Sequence, residues 1–334
     1  ELEKWLIDGS ELSAVMEEDM AWRYIKMNID TTDVKLQEHF NFWIQEISPK
    51  VAPFSHQLNV KLVESPYINQ LNDKYKIYLR GVKNQIEIYT EANIPLFTKM
   101  QQLQQEYGAI CAKMTVDHEG KTLTLQQAAQ LLKSNARTLR EKIYNKINNR
   151  RLKDVDSLDQ LFDQLIDLRQ NIGKNAGFDN YRDYMFSAMG RFDYSVEDCY
   201  NFHSSIQQHI VPIIEKFDQL RKEKLELSTY RPWDTQVDVD GKAPLSPFDN
   251  SKQLIDKTIA CFNKLDPYFG ECLNTMQQMK HLDLASKQGK SPGGFMYPLY
   301  EIGVPFIFMN AVGSHRDVVT MIHEGGHAVH SFLS

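Results

Sequence analysis

Cysteine is scarce in this chain. Four residues in 334 (Cys111, Cys199, Cys261 and Cys272) form no C-x-x-C pair, which argues against a disulfide framework and suits a reduced, cytoplasmic protein. Long apolar runs are missing too. None approaches the roughly 18 residues of a membrane span, and the N-terminus has no signal-peptide pattern, so no membrane partner is expected. Positive charge is not in excess: 38 Lys and Arg against 44 Asp and Glu leave a net charge of -6. Without a basic footprint, nucleic acid is excluded as an expected partner. No internal repeat or low-complexity tract is present. The first residue is Glu1, inside a helical pattern, and the last is Ser334, so both ends are expected to be cut.

What is present is amphipathic helix. A 42% hydrophobic content is enough for a sizeable core, in one elongated domain or two lobes. "SELSAVMEEDMAWRYIKMNI" and "DVKLQEHFNFWIQEIS" carry apolar residues at three- and four-residue spacing, separated by the turn Asp30–Asp33. Trp22, Phe40, Phe42 and Trp43 are assigned to helix–helix packing. Asp117-His118-Glu119-Gly120, flanked by β-prone residues, predicts a hairpin followed by a helix from Leu125. Pro212 predicts a kink. "STYRPWDTQVDVDGKAPLSP" predicts a loop with a short strand at Val237 and Val239. "GKS" at 289–291 is set aside as a phosphate loop, because Leu284 stands where that motif needs its first glycine.

The chemistry concentrates in "MIHEGGHAVH", residues 321–330. On a helix His323 and His327 lie one turn apart and about 40° apart around the axis, so both imidazoles can close on one metal ion. Glu324 beside them can act as general base, which is the mechanical content of H-E-x-x-H. Zinc suits imidazole ligands. Ser314 with Asp317 predicts a capping box. Val318, Met321, Ile322, Ala328, Val329, Phe332 and Leu333 gather opposite the histidines. Gly325 and Gly326 cost on the order of 2 kcal/mol of helix propensity, which implies that another element approaches too closely to admit a Cβ. His330 shares the histidine face but lies about 10 Å along the axis from His323, too far for direct ligation.

These residues resemble a known family. "HEGGHAVH" is similar to the H-E-x-G-H-x-x-H signature of the oligoendopeptidase F branch of the thimet oligopeptidase family of zinc metallopeptidases. "GKSPGGF", "PFIFMN" and "DVVTMIHE" follow that family's order and spacing, and "YRPWD" and "RFDYSVEDCYNFH" are also similar. The resemblance implies a mostly α, two-lobed helical zincin-type oligopeptidase with a small β-sheet near the active-site cleft, here as an incomplete chain. It implies an N-terminal helical lobe over 1–160, with a β-hairpin near 108–124, and the first part of the catalytic lobe over 161–334. It implies a cytoplasmic, zinc-dependent endopeptidase that hydrolyses short oligopeptides inside a deep channel.

Carried over residue by residue, His323 and His327 are zinc ligands and Glu324 the base, with one Zn2+ per complete site. Gly293, Gly294, Phe308, Met309 and Asn310 would line the cleft, "PFIFMN" offering an unpaired edge to an extended peptide. His330 would contact substrate or the groups behind the ligands. The family's third ligand, a glutamate some two dozen residues past the second histidine, and its transition-state-binding residues lie beyond Ser334. The remainder of the catalytic lobe is therefore on a second chain or missing, and this chain alone is expected to be inactive. A helical zinc carboxypeptidase and a non-catalytic peptide-binding scaffold are the alternatives.

Overall fold

The computed structural model describes residues 1–334 and is mostly helical, with two small sheets. No helix is long and apolar enough to cross a membrane. Contacts divide the chain into two units, each built from three separate segments. One comprises Glu1–Gly9, Asn41–Tyr107 and Asp156–Leu220; the other comprises Ser10–Phe40, Gly108–Val155 and Arg221–Ser334. The sequence division at 160 falls inside the helix Val155–Asn175.

The first unit is all helix. Leu161 and Leu165, one turn apart, pack with Leu103 and with the partly buried Met100 and Leu168. Helix Val196–Ser205 begins with a capping box between Ser195 and Asp198. A five-residue π turn, Ile206–Ile210, leads into Val211–Lys224, just ahead of Pro212. The ring removes the N–H that would bond the Gln208 carbonyl, which gives the expected disturbance its form. None of these three segments buries a residue. Ile210, Ile213, Ile214, Phe217 and Leu220 make an apolar stripe, with Phe217 57% exposed. Such patches promote association. Phe217→Glu should therefore lower concentration-dependent self-association in light scattering while changing stability by no more than about 0.5 kcal/mol. A melting shift of several degrees would mean that the stripe is packed.

The second unit holds the sheets. Strands Thr115–His118 (β1) and Lys121–Thr124 (β2) form the predicted hairpin. Its turn places Glu119 and Gly120 at φ 51° and 75°, as a two-residue primed turn requires. Thr124 caps the helix Leu125–Gln130 in a capping box with Gln127. The second sheet has Leu282–Ala285 (β3) and Phe295–Tyr297 (β4) on either side of Phe306–Ala311 (β5). β3 runs parallel to β5, and β4 antiparallel. Against this sheet pack helices Ser251–Leu265, Pro267–Gln278 and His315–Leu333, through Phe262, Leu273, Met276, Ile307 and Met321.

Two sequence expectations fail here. Val237 and Val239 form no strand; Val237 is buried in a loop whose carbonyl is held by Arg221 Nη2 at 2.6 Å. Side-chain anchoring replaced sheet pairing. Phe42 is 51% exposed and joins no core, whereas Phe40 is buried and Trp22 meets His281 and Phe306 edge-on.

Candidate metal and peptide site

The histidine helix is held at its start by the predicted capping box. Ser314 Oγ accepts from Asp317 N, and Asp317 Oδ2 accepts from the N–H groups of Ser314 at 2.8 Å and Val312 at 2.9 Å. Met321, Ala328 and Val329 are buried in the sheet-side core, with Val318 and Phe332 packed against it. Ile322 and Leu333 depart from the expected apolar face: they are 39% and 65% exposed. The rest of the apolar side of this helix is covered.

His323 and His327 both stand exposed, with Nε2 atoms 3.1 Å apart and ring planes at 89°. Zinc–imidazole bonds of about 2.0–2.1 Å in a tetrahedron put neighbouring nitrogens about 3.3 Å apart. The pair fits that edge. Within the chain no group of three His, Cys, Asp or Glu gathers to complete a metal site. Glu324, between the two histidines, is 8% exposed. His330 is exposed and its Nδ1 lies 3.2 Å from Ser334 Oγ.

The glycine pair divides. A Cβ on Gly325 would stand 3.1 Å from Phe262 Cζ, so close approach explains this position. At Gly326 a Cβ would meet nothing within 4 Å. The steric reading is corrected there, because the residue sits on the exposed histidine side. Gly326→Ala should raise stability by up to about 1 kcal/mol through helix propensity, and Gly325→Ala should gain less or lose. Thermal melts check this; destabilisation by Gly326→Ala would reveal a packing partner.

The largest correction concerns "PFIFMN". β5 is the central strand, with Phe306, Ile307 and Phe308 paired to β4, and Ile307 and Phe308 also to β3. It offers no unpaired edge over these residues. Phe308 and Met309 are buried, Phe308 stacking on Phe295 at 4.7 Å, so their side chains build core rather than line a cleft. Pairing partners decide which strand is an edge, and they are not visible within a strand's own residues. The free edge near the site belongs to β4.

Asn310 is half-buried and donates Nδ2 to the carbonyls of Ser291 and Gly293, both at 2.8 Å. It holds the Gly293–Gly294 loop. Gly293 sits at φ 99°, and a Cβ on Gly294 would lie 3.3 Å from Phe308 O and 3.6 Å from Thr320 Cγ2. Sequence reading passed over Lys290, whose side chain is fully buried below this loop. The "GKS" string gave no sign of that burial.

The sequence profile of peptidase family M3 matches residues 130–334, and that of the peptidase M3 N-terminal domain matches residues 1–89. The chain belongs to peptidase family M3. It is similar to oligoendopeptidase F of Lactococcus lactis subsp. cremoris, at 26% identity over 129 residues, 38% of this chain and 20% of that one. It is likewise similar to oligopeptidase PepF of Bacillus subtilis, at 26% over 135 residues, 40% and 19% of the two chains. Among solved structures it superposes on a Bacillus anthracis protein assigned to oligoendopeptidase F, with TM-score 0.91 and 23% identity. It also superposes on PZ peptidase A with an inhibitor, with TM-score 0.90 and 26% identity over 95% of this chain and 56% of that one. The chain spans 59% of the length of the Bacillus anthracis protein, with 97% of its own residues matched. Family and mostly helical fold agree with the resemblance drawn from the sequence.

Proposed function

We propose that this chain supplies the metal-binding helix of a zinc-dependent endopeptidase acting on short oligopeptides. The observation that carries this reading is the pair of exposed Nε2 atoms 3.1 Å apart, with Glu324 between them on one helix. His323 and His327 would hold the ion. Zinc, when bound, supplies Lewis-acid polarisation of a peptide carbonyl. Glu324 takes a proton from the attacking water and returns it to the leaving amine. Membership of a peptidase family, and relatives named oligoendopeptidase F, support the substrate class. Four free cysteines fit a reducing compartment such as the cytoplasm.

An extended peptide beside the site pairs with the free edge of β4, residues 295–297, because β5 is already paired. Main-chain pairing reads side chains weakly, so broad specificity follows. A peptide complex lacking backbone bonds to 295–297 would overturn this placement.

Two imidazoles are one ligand short of the usual three. The 334-residue chain should therefore hold zinc weakly and lose it readily to chelators, and a polypeptide supplying the third ligand should restore metal binding and cleavage together. Calorimetry with zinc, and an internally quenched peptide blocked at both ends, test the two parts. Tight stoichiometric zinc and unaided cleavage would defeat the two-ligand reading and return His330 as the third ligand. Cleavage confined to unblocked termini would indicate a carboxypeptidase.

A further inference from the structure

Lys290 is 3% exposed, and its ammonium sits among four oxygens. It donates to Asp283 Oδ1 at 2.5 Å, Asp283 O at 2.9 Å, Ala285 O at 3.0 Å and Met309 O. Taking an ammonium out of water is costly, so a lysine used only for packing would be poorly chosen. The reason lies in the sheet. Asp283 pairs with Phe308 but Ala285 pairs with Ala311, so β5 carries an extra residue relative to β3. A bulge leaves backbone groups without ladder partners and re-aims side chains. The Lys290 ammonium reaches the carbonyls on both sides of that irregularity.

The bulge involves Asn310, whose amide holds the carbonyls of Ser291 and Gly293. The same loop is pinned on its other side: Thr31 N and Oγ1 donate to Gly289 O at 2.7 and 2.8 Å, and Ser291 N donates to Asn28 O at 2.9 Å. At the loop's end, Gly294 lies against Thr320, one helical turn before His323. These contacts form one connected path from the lysine to the histidine helix.

We propose that Lys290 is a positioning residue: its buried ammonium stabilises the β5 bulge, and through Asn310 it fixes the 291–294 loop beside the His323–His327 face. The meaning of this for peptide handling rests on the peptidase reading, but the positioning itself does not. Hydrogen exchange on the 334-residue chain tests it directly. Lys290→Met should speed exchange at Ser291 and through 293–296 at least about tenfold, leaving the core of helix 251–265 protected. Asn310→Ala should reproduce the effect, and ethylammonium added to Lys290→Ala should reverse it. Unchanged loop protection in Lys290→Met overturns the proposal. So does uniform loss of protection across the unit that ethylammonium does not reverse, since that is plain core damage. In a preparation that cleaves peptides, Lys290→Met should raise KM several-fold more than it lowers kcat, and Lys290→Arg should recover part of it. An equal loss in both, with the loop exchange changed, would separate a failure of the peptidase reading from a failure of the positioning.

Discussion

Glu324→Gln is expected to abolish peptide cleavage almost entirely while leaving zinc in place. The amide is isosteric with the carboxylate but cannot accept the proton of the attacking water. General-base catalysis contributes roughly 10²–10⁴-fold, and loss of the group that also reprotonates the leaving amine falls at or above the upper end. Glu324 is buried, next in sequence to the exposed His323, and on the proposed reading it serves the histidine pair as base rather than as a third ligand. The measurement pairs steady-state cleavage of a blocked peptide with metal content, in protein supplied with all its ligands. A variant of unchanged activity would remove Glu324 from the mechanism. A variant that lost its metal would make it a ligand.

The largest effect on stability is expected from Asp234→Ala. This residue of "YRPWD" is fully buried and receives Arg137 Nη2 at 2.9 Å, Arg140 Nη2 at 2.7 Å and the Arg231 N–H at 3.1 Å. Arg140 is itself buried, and its other donors reach the carbonyls of Trp233, Ser134 and Asn135. Removing the carboxylate leaves a buried guanidinium without its counter-charge, at a cost of about 3–5 kcal/mol. Asp234→Asn keeps one acceptor oxygen and should cost less. Burial works against ionisation here, but the bonds from Arg137 and Arg140 prevail and hold the carboxyl below the usual aspartate range. The stabilisation is therefore complete above the ordinary aspartate pKa and lost as pH falls through the lower folded value. Urea titration followed by tryptophan fluorescence reports on Trp233 next door. A midpoint within error of the parent chain would show that the arginines find other partners.

Much of the local structure was legible in the residues themselves. Glu119-Gly120 announced a hairpin because a two-residue turn needs positive φ, and Ser314 with Asp317 announced a helix start because their side chains reach orphan N–H groups. The histidine pair was legible for the same reason: four residues make one helical turn, and no tertiary contact is needed to bring the rings together. The family, too, was readable from short strings around them.

What only the tertiary structure decided was partnership across long separations. β5 looked like an edge because its own residues say nothing of β3 and β4, which meet it on both sides. Gly325 and Gly326 are identical in sequence terms, yet Phe262, more than sixty residues away, stands beside one and not the other. Lys290 drew no notice in the discarded GKS string, because its burial depends on the fold, which brings Met309 O of β5 to an ammonium already bonded to Asp283 and Ala285 of β3. A residue's rotation on its own helix or strand follows from backbone periodicity; what stands opposite it depends on which distant segments the core brings together.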